Sequence, residues 1–219
     1  MNMMQKIRIL ETIERAGIIA VVRGETPTEA IKSSEAILAG GIKGIEITFT
    51  VPQAEQVIYE LQQRHREASN VVIGAGTVLD ATTARIAISA GAQFIVSPCF
   101  DKETAKLCNL YQVPYLPGCM TVTEIKTALM YGVDIIKLFP GNLAGPSAIK
   151  AFRGPLPTLN IMPTGGVNLA NLPEWFQAGS IAVGIGGHLL APAKVDDFDK
   201  ITSLAKQYMQ RYEEVINLS

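Results

Sequence analysis

Eight short runs of aliphatic and β-branched residues recur along the chain, at Ile18–Arg23, Gly44–Phe49, Val71–Thr77, Phe94–Pro98, Tyr115–Gly118, Ile135–Pro140, Ile161–Gly166 and Ile181–Gly187. Runs of this length and composition predict strands. Between them the apolar positions return at helical spacing over Thr28–Ala39, Gln53–Gln63, Ala81–Ala90, Lys102–Leu110, Val122–Tyr131, Pro146–Phe152 and Leu172–Ala178, with a last segment from Val195 onward. These segments begin near Thr, Pro or Asp, and several stop on small residues, as in Ala39-Gly40-Gly41 and Ala178-Gly179, matching the preference for Gly just past a helix end. An amphipathic helix precedes the first strand. The chain reads as a repeated βα unit.

Most of the strands are apolar throughout, the pattern of a parallel sheet covered on both faces. Eight units favour closure, so the expected fold is α/β: a single-domain (β/α)8 TIM barrel with an N-terminal helix, spanning residues 1–219. An open doubly wound sheet would place a G-x-G-x-x-G turn after its first strand, and Arg23-Gly24-Glu25-Thr26 is not one. No linker or change of composition marks a second domain. The formal net charge of -1 argues against a general nucleic-acid binder, which needs a surplus of cations on one face. Cys99, Cys108 and Cys119 are odd in number and form no C-x-x-C pair, so a reducing cytoplasm fits better than a disulfide framework. Lys6, Arg8, Glu11, Glu14 and Arg15 interrupt any signal-peptide core, and no apolar run is long enough to span a membrane.

In such barrels the chemistry sits at the C-terminal ends of the strands. Those ends carry Arg23, Glu46 with Thr48, Thr77, Ser97, Lys137, Thr164 with Gly165-Gly166, and Gly186-Gly187-His188. Strand alternation puts Ile135, Lys137 and Phe139 on one face and Ile136 and Leu138 on the other. A lysine turned into the lumen leaves water, which disfavours the ammonium and favours the neutral amine that attacks a ketone. A lysine that snorkels to solvent has the same local sequence. Glu46 narrows the choice, because Gly44, Glu46 and Thr48 share a face and bring a carboxylate into the same lumen. A glutamate there can shuttle protons through carbinolamine, imine and enamine. An ion pair buried with no task is a poor stabilising device, so a pair at the active end of a barrel points to function.

The glycine sets Thr164-Gly165-Gly166 and Gly186-Gly187-His188 follow the last two strands, where barrels often hold phosphate on backbone N–H groups and helix N-termini. Two tight turns explain the same glycines. Thr77 closes a permissive Gly74-Ala75-Gly76 strand and suits a carboxylate or carbonyl oxygen, and Arg23 either clamps a carboxylate or caps a strand. Of the two histidines, His65 lies in a charged stretch that reads as a solvated helix end, and His188 is either structural or near a phosphoryl group. The usual ligands for a metal are missing, and no cofactor is expected.

With these residues assembled, the chain resembles the class I aldolases that cleave 2-keto-3-deoxy-6-phosphogluconate (KDPG) and 4-hydroxy-2-oxoglutarate (KHG). The resemblance spans nearly the whole length and rests on Gly44-Ile45-Glu46-Ile47-Thr48, Ile73-Gly74-Ala75-Gly76-Thr77-Val78, Phe94-Ile95-Val96-Ser97-Pro98, Pro117-Gly118, Lys137-Leu138-Phe139-Pro140 and Pro163-Thr164-Gly165-Gly166-Val167. It implies Lys137 as the imine-forming residue and Glu46 as the proton carrier. It further implies Thr77 near the pyruvyl carboxylate and a phosphate held by Thr164, Gly165, Gly166, Gly186 and Gly187; Arg23, Thr48, Thr50 and Phe139 are further candidates for the pyruvyl group, and His188 for the phosphate. A phosphorylated keto-acid substrate and a homotrimer are implied as well. Many relatives have an arginine where this chain has Thr50, and a serine where it has His188; Arg23 is the expected replacement for that arginine. The alternatives are the same chemistry on the 6-phosphogalactonate epimer, a phosphosugar isomerase or synthase, and a non-catalytic phosphosugar-binding barrel.

Overall fold

The computed structural model describes residues 4–217. Helix α1 (Gln5–Ala16) is followed by strands β1 (Ile18–Val22), β2 (Gly44–Thr48), β3 (Val72–Gly76), β4 (Ile95–Ser97), β5 (Tyr115–Cys119), β6 (Ile136–Leu138), β7 (Ile161–Pro163) and β8 (Val183–Ile185). The connecting helices are α2 (Pro27–Ala39), α3 (Ala54–Arg64), α4 (Ala81–Ser89), α5 (Lys102–Leu110), α6 (Val122–Met130), the pair α7 (Gly141–Ala144) and α8 (Ser147–Arg153), and α9 (Leu172–Gln177). After β8 come α10 (Gly187–Leu190), a 3-10 turn at Ala191–Val195, and α11 (Phe198–Ile216).

All strand pairings are parallel, in the order β7-β6-β5-β4-β3-β2-β1-β8, and a bridge between Thr164 and Gly184 closes the ring. The expected (β/α)8 barrel is therefore present. The strands are shorter than the apolar runs predict: Arg23, Phe49, Thr77, Phe139 and Gly165-Gly166 all lie past the last ladder residue. Arg23, Phe139 and Gly165-Gly166 line the cavity at the mouth of the barrel instead. The last helix starts at Phe198 instead of Val195, because Pro192 sits in a 3-10 turn and Asp197 caps the helix by accepting the Lys200 N–H at 3.0 Å.

Thr26, Asp80, Asp101 and Thr121 each accept the N–H three residues on, at 3.1, 2.7, 2.7 and 3.3 Å, and so start α2, α4, α5 and α6. Such a cap is worth about 1 kcal/mol. Each lies in a βα loop, so the caps also stiffen the loops that form the mouth.

Two apolar layers hold the structure. Outward strand residues such as Ile45, Ile47, Ile136 and Leu138 pack under the helices. Inward residues Ile19, Val72, Phe94, Val96, Leu116, Ile135 and Met162 fill the lower lumen and meet Ile9, Ile13 and Ala16 of α1, which closes the N-terminal end. Ile13 is fully buried, worth roughly 1.5–3 kcal/mol, and the Lys6–Asp134 ion pair at 2.8 Å ties α1 to the segment entering β6. Among the described residues no helix is long and apolar enough to cross a membrane.

Candidate active site

Strands β2 and β6 face each other across the ring, so Glu46 and Lys137 reach toward one another through the lumen. Lys137 Nζ lies 3.7 Å from Glu46 Oε1; Glu46 is fully buried and Lys137 is 5% exposed. The alternation read from the sequence has the right phase, since Ile135 is in the inner layer while Ile136 and Leu138 are in the outer one.

Missing side chains make this meeting possible. Glu46 is paired with Gly74 on β3, and Lys137 with Gly118 on β5. A Cβ on Gly76 would lie 2.5 Å from Glu46 Cδ, and one on Gly74 would lie 2.6 Å from the Phe94 ring. Glycine at these points clears a seat for the carboxylate above a layer packed by Phe94.

Neither Glu46 oxygen has a hydrogen-bond partner among the described residues, and the same is true of Thr164 Oγ1. Buried acceptors without donors cost on the order of 1–3 kcal/mol each, more when charged. A carboxylate kept this way retains its capacity for a polar atom entering from the mouth. The Phe139 ring flanks the amine, its centroid 5.2 Å from Lys137 Nζ.

Above the pair opens a cavity of about 1310 Å³, lined among others by Arg23, Phe139, Thr164, Gly165, Gly166, Gly186, Gly187 and His188. Glu46 and Lys137 lie just beneath its floor. Val21, which lines the cavity, is the neighbour of Glu46 across β1 and β2, and Phe139 covers Lys137.

Arg23 is exposed on the rim. Thr48 is buried, and its hydroxyl donates to the Val22 carbonyl at 3.1 Å, so in the 2.7 Å contact between the two hydroxyls Thr50 is the donor. Thr48 thus supports Thr50, which is exposed. Thr77 has φ 53, a left-handed conformation that costs a β-branched residue about 1–3 kcal/mol and concentrates at functional sites.

Gly165 and Gly166 have φ 95 and 78. The Gly166 carbonyl accepts Asn171 Nδ2 at 2.9 Å and Asn168 Nδ2 at 3.3 Å, while Asn171 Oδ1 accepts the Asn168 N–H at 2.8 Å. This bracing fixes the turn through the Gly166 carbonyl. The 4-residue helix α10 opens at Gly187 itself, whereas α9 begins only at Leu172, beyond the Gly165-Gly166 turn.

His188 lines the cavity, and its Nδ1 lies 3.0 Å from the Tyr208 hydroxyl. His65 ends α3 as expected but is not simply solvated, since its Nε2 lies 3.0 Å from Glu35 Oε2 and its side chain is only partly exposed. Among the described residues no group of three or more His, Cys, Asp or Glu side chains could hold a metal ion.

Sequence reading missed the seat at Gly76, the bracing by Asn168 and Asn171, and Tyr208. The Asn-x-x-Asn spacing after a glycine pair is a visible turn signal. The other two depend on contacts between distant segments.

The chain is similar to known proteins over nearly its whole length. The family model "KDPG and KHG aldolase" matches residues 9–204. The 2-dehydro-3-deoxy-phosphogluconate aldolase of Treponema pallidum is 37% identical over 208 residues, covering 93% of this chain and 97% of that protein. A KDPG aldolase of Legionella pneumophila, solved with pyruvate captured at low pH as a covalent carbinolamine intermediate, is 27% identical with a TM-score of 0.82, covering 93% and 97% of the two chains. A designed cube-shaped cage made by fusing symmetric oligomeric domains is 31% identical with a TM-score of 0.85, covering 92% of this chain and 74% of that one. By its sequence and its barrel alike, the chain belongs to the KDPG and KHG aldolase family.

Proposed function

We propose that the protein is a class I aldolase that cleaves KDPG to pyruvate and glyceraldehyde 3-phosphate, or KHG to pyruvate and glyoxylate, with residues 1–219 acting as one catalytic domain. The observation that carries this reading is the buried Lys137–Glu46 pair at 3.7 Å, with both carboxylate oxygens free of hydrogen bonds among the described residues. Lys137 Nζ attacks the C2 carbonyl of the keto acid to give a carbinolamine. Glu46 moves the proton that lets water leave, forming the imine. It then takes the proton of the C4 hydroxyl as the C3–C4 bond breaks; the aldehyde departs, and the electron pair is stored as an enamine. Protonation at C3 and hydrolysis return pyruvate and the free amine. These steps use only the protein's own groups and water, so the reaction asks for no cofactor.

Thr50 and Thr77, with Arg23 on the rim, are suited to the pyruvyl carboxylate, Thr48 supports Thr50, and Phe139 walls the amine. Thr164, Gly165, Gly166, Gly186, Gly187 and His188 would hold the phosphate at the other end of the cavity. The relative named for a phosphogluconate substrate favours KDPG; the 6-phosphogalactonate epimer differs by the configuration at one hydroxyl and is the second reading.

We place the enzyme in the cytoplasm, where three free cysteines remain thiols. We also infer a homotrimer: exposed Ile86 on α4, Leu110 on α5, and Val122 and Met130 on α6, with Leu79 and Tyr111 in the adjoining turns, offer surface for subunit contact. Light scattering at micromolar concentration tests that assembly.

The catalytic reading is tested by borohydride reduction in the presence of pyruvate. A reduced pyruvyl adduct on Lys137, absent from Lys137→Ala, is the expected result. An adduct on another lysine, or none, overturns it.

A further inference from the structure

Tyr208 of α11 is fully buried, yet its hydroxyl meets the loop after β8 at the phosphate end of the cavity, where His188 Nδ1 lies 3.0 Å from the phenol oxygen. His188 follows the Gly186-Gly187 turn directly. A side chain from the last helix therefore reaches the residue beside the second glycine turn.

Burial pushes the Tyr208 pKa up to about 12, so the phenol keeps its proton at neutral pH. A buried phenol needs an acceptor for that proton, and His188 Nδ1 is within reach. With Nδ1 accepting, the ring proton sits on Nε2. That nitrogen is on the edge turned away from Tyr208, and the ring itself lines the cavity.

We propose that Tyr208 is a positioning residue that holds His188 with Nε2–H directed at the phosphoryl group, making His188 the side chain by which this site prefers phosphorylated keto acids over unphosphorylated ones. The proposal rests on the aldolase reading above and deepens it at the end of the cavity away from Lys137. Backbone N–H groups in two glycine turns hold any small oxyanion. A side-chain donor locked in one orientation adds a contact that only a substrate long enough to reach it can use. KHG carries no phosphoryl group and gains nothing from that donor.

The test compares kcat/KM on KDPG with kcat/KM on KHG in wild type, His188→Ala, Tyr208→Phe and the double variant. Losing one charge-assisted hydrogen bond predicts a fall of roughly tenfold in that ratio for His188→Ala, a smaller fall for Tyr208→Phe, and a double variant no worse than His188→Ala. His188→Gln, which carries a donor that needs no tautomer, should keep part of the preference and be insensitive to Tyr208→Phe. Calorimetric titration with inorganic phosphate gives a readout without turnover, and His188→Ala should bind more weakly than wild type. An unchanged ratio, effects of the two single variants that multiply, or phosphate affinity unaltered by His188→Ala overturns the proposal. Should wild type release no pyruvate from either acid, the aldolase reading falls by itself while the phosphate titration still decides the role of His188.

Discussion

The seat beneath Glu46 allows a perturbation whose size follows from the coordinates. In Gly76→Ala the new Cβ would lie 2.5 Å from Glu46 Cδ, whereas carbon atoms rest at about 3.5 Å or more. The carboxyl group must retreat by about 1 Å, and displacement of a catalytic group by that much costs on the order of a hundredfold in rate, or about 2.7 kcal/mol of transition-state stabilisation. The crowding itself should destabilise the fold by about 1–3 kcal/mol, less than the roughly 5–15 kcal/mol that holds a domain together. The variant should therefore fold. Pyruvate release coupled to lactate dehydrogenase should show the fall in kcat, while borohydride still labels Lys137, only more slowly. Gly74→Ala is the control, because its Cβ meets the Phe94 ring at 2.6 Å and so crowds the core without directly displacing the carboxylate. A folded Gly76→Ala protein with wild-type kcat, or equal losses in both variants, would refute the argument that the glycine exists to seat Glu46.

Gly166→Ala forces φ 78 on a residue with a side chain and sets its Cβ 2.7 Å from Asn142 Cβ; thermal unfolding should show a loss of about 1–2 kcal/mol or more, with a raised KM for the phosphorylated substrate. Arg23→Ala should raise KM for the keto acid roughly tenfold if the guanidinium clamps a carboxylate; an unchanged KM would leave Arg23 as a rim residue only. Backbone N–H groups, from Thr83 onto Asp80 and from Met120 onto Glu124, hold both carboxyls below their ordinary values of 3.8 and 4.5. The folded state binds these protons less readily than the unfolded one, so the stabilisation is complete above those values and is lost as pH falls through the lower folded ones. Urea midpoints should drop in that acid window, and Asp80→Asn with Glu124→Gln should flatten the drop.

Lys137 and Glu46 are legible because strand alternation has a fixed period: once Ile136 and Leu138 face the helices, Lys137 must face the lumen. The eight-unit count likewise gives closure without knowledge of any contact. What escapes such reading is set by segments far apart in the chain. Gly76 matters for the carboxylate that comes to rest on it from the neighbouring strand. Thr77 has an ordinary side chain and an unusual backbone, and Tyr208 looks like one more apolar position on α11 until its hydroxyl meets His188. The apolar runs also overshoot the strand ends, because apolar residues that line a mouth cannot be told by composition from those in a ladder.

Helix α1, wedged with Ile9 and Ile13 into the foot of the ring and latched by Lys6 to Asp134, leaves the vessel blind-ended. Among the described residues the cavity gives passage at the rim. A ketone tethered at the bottom must wait while whatever is severed from it, lying nearer the exit, diffuses away. Order of departure is thus dictated by architecture: aldehyde first, pyruvate second, and in the synthetic direction the reverse.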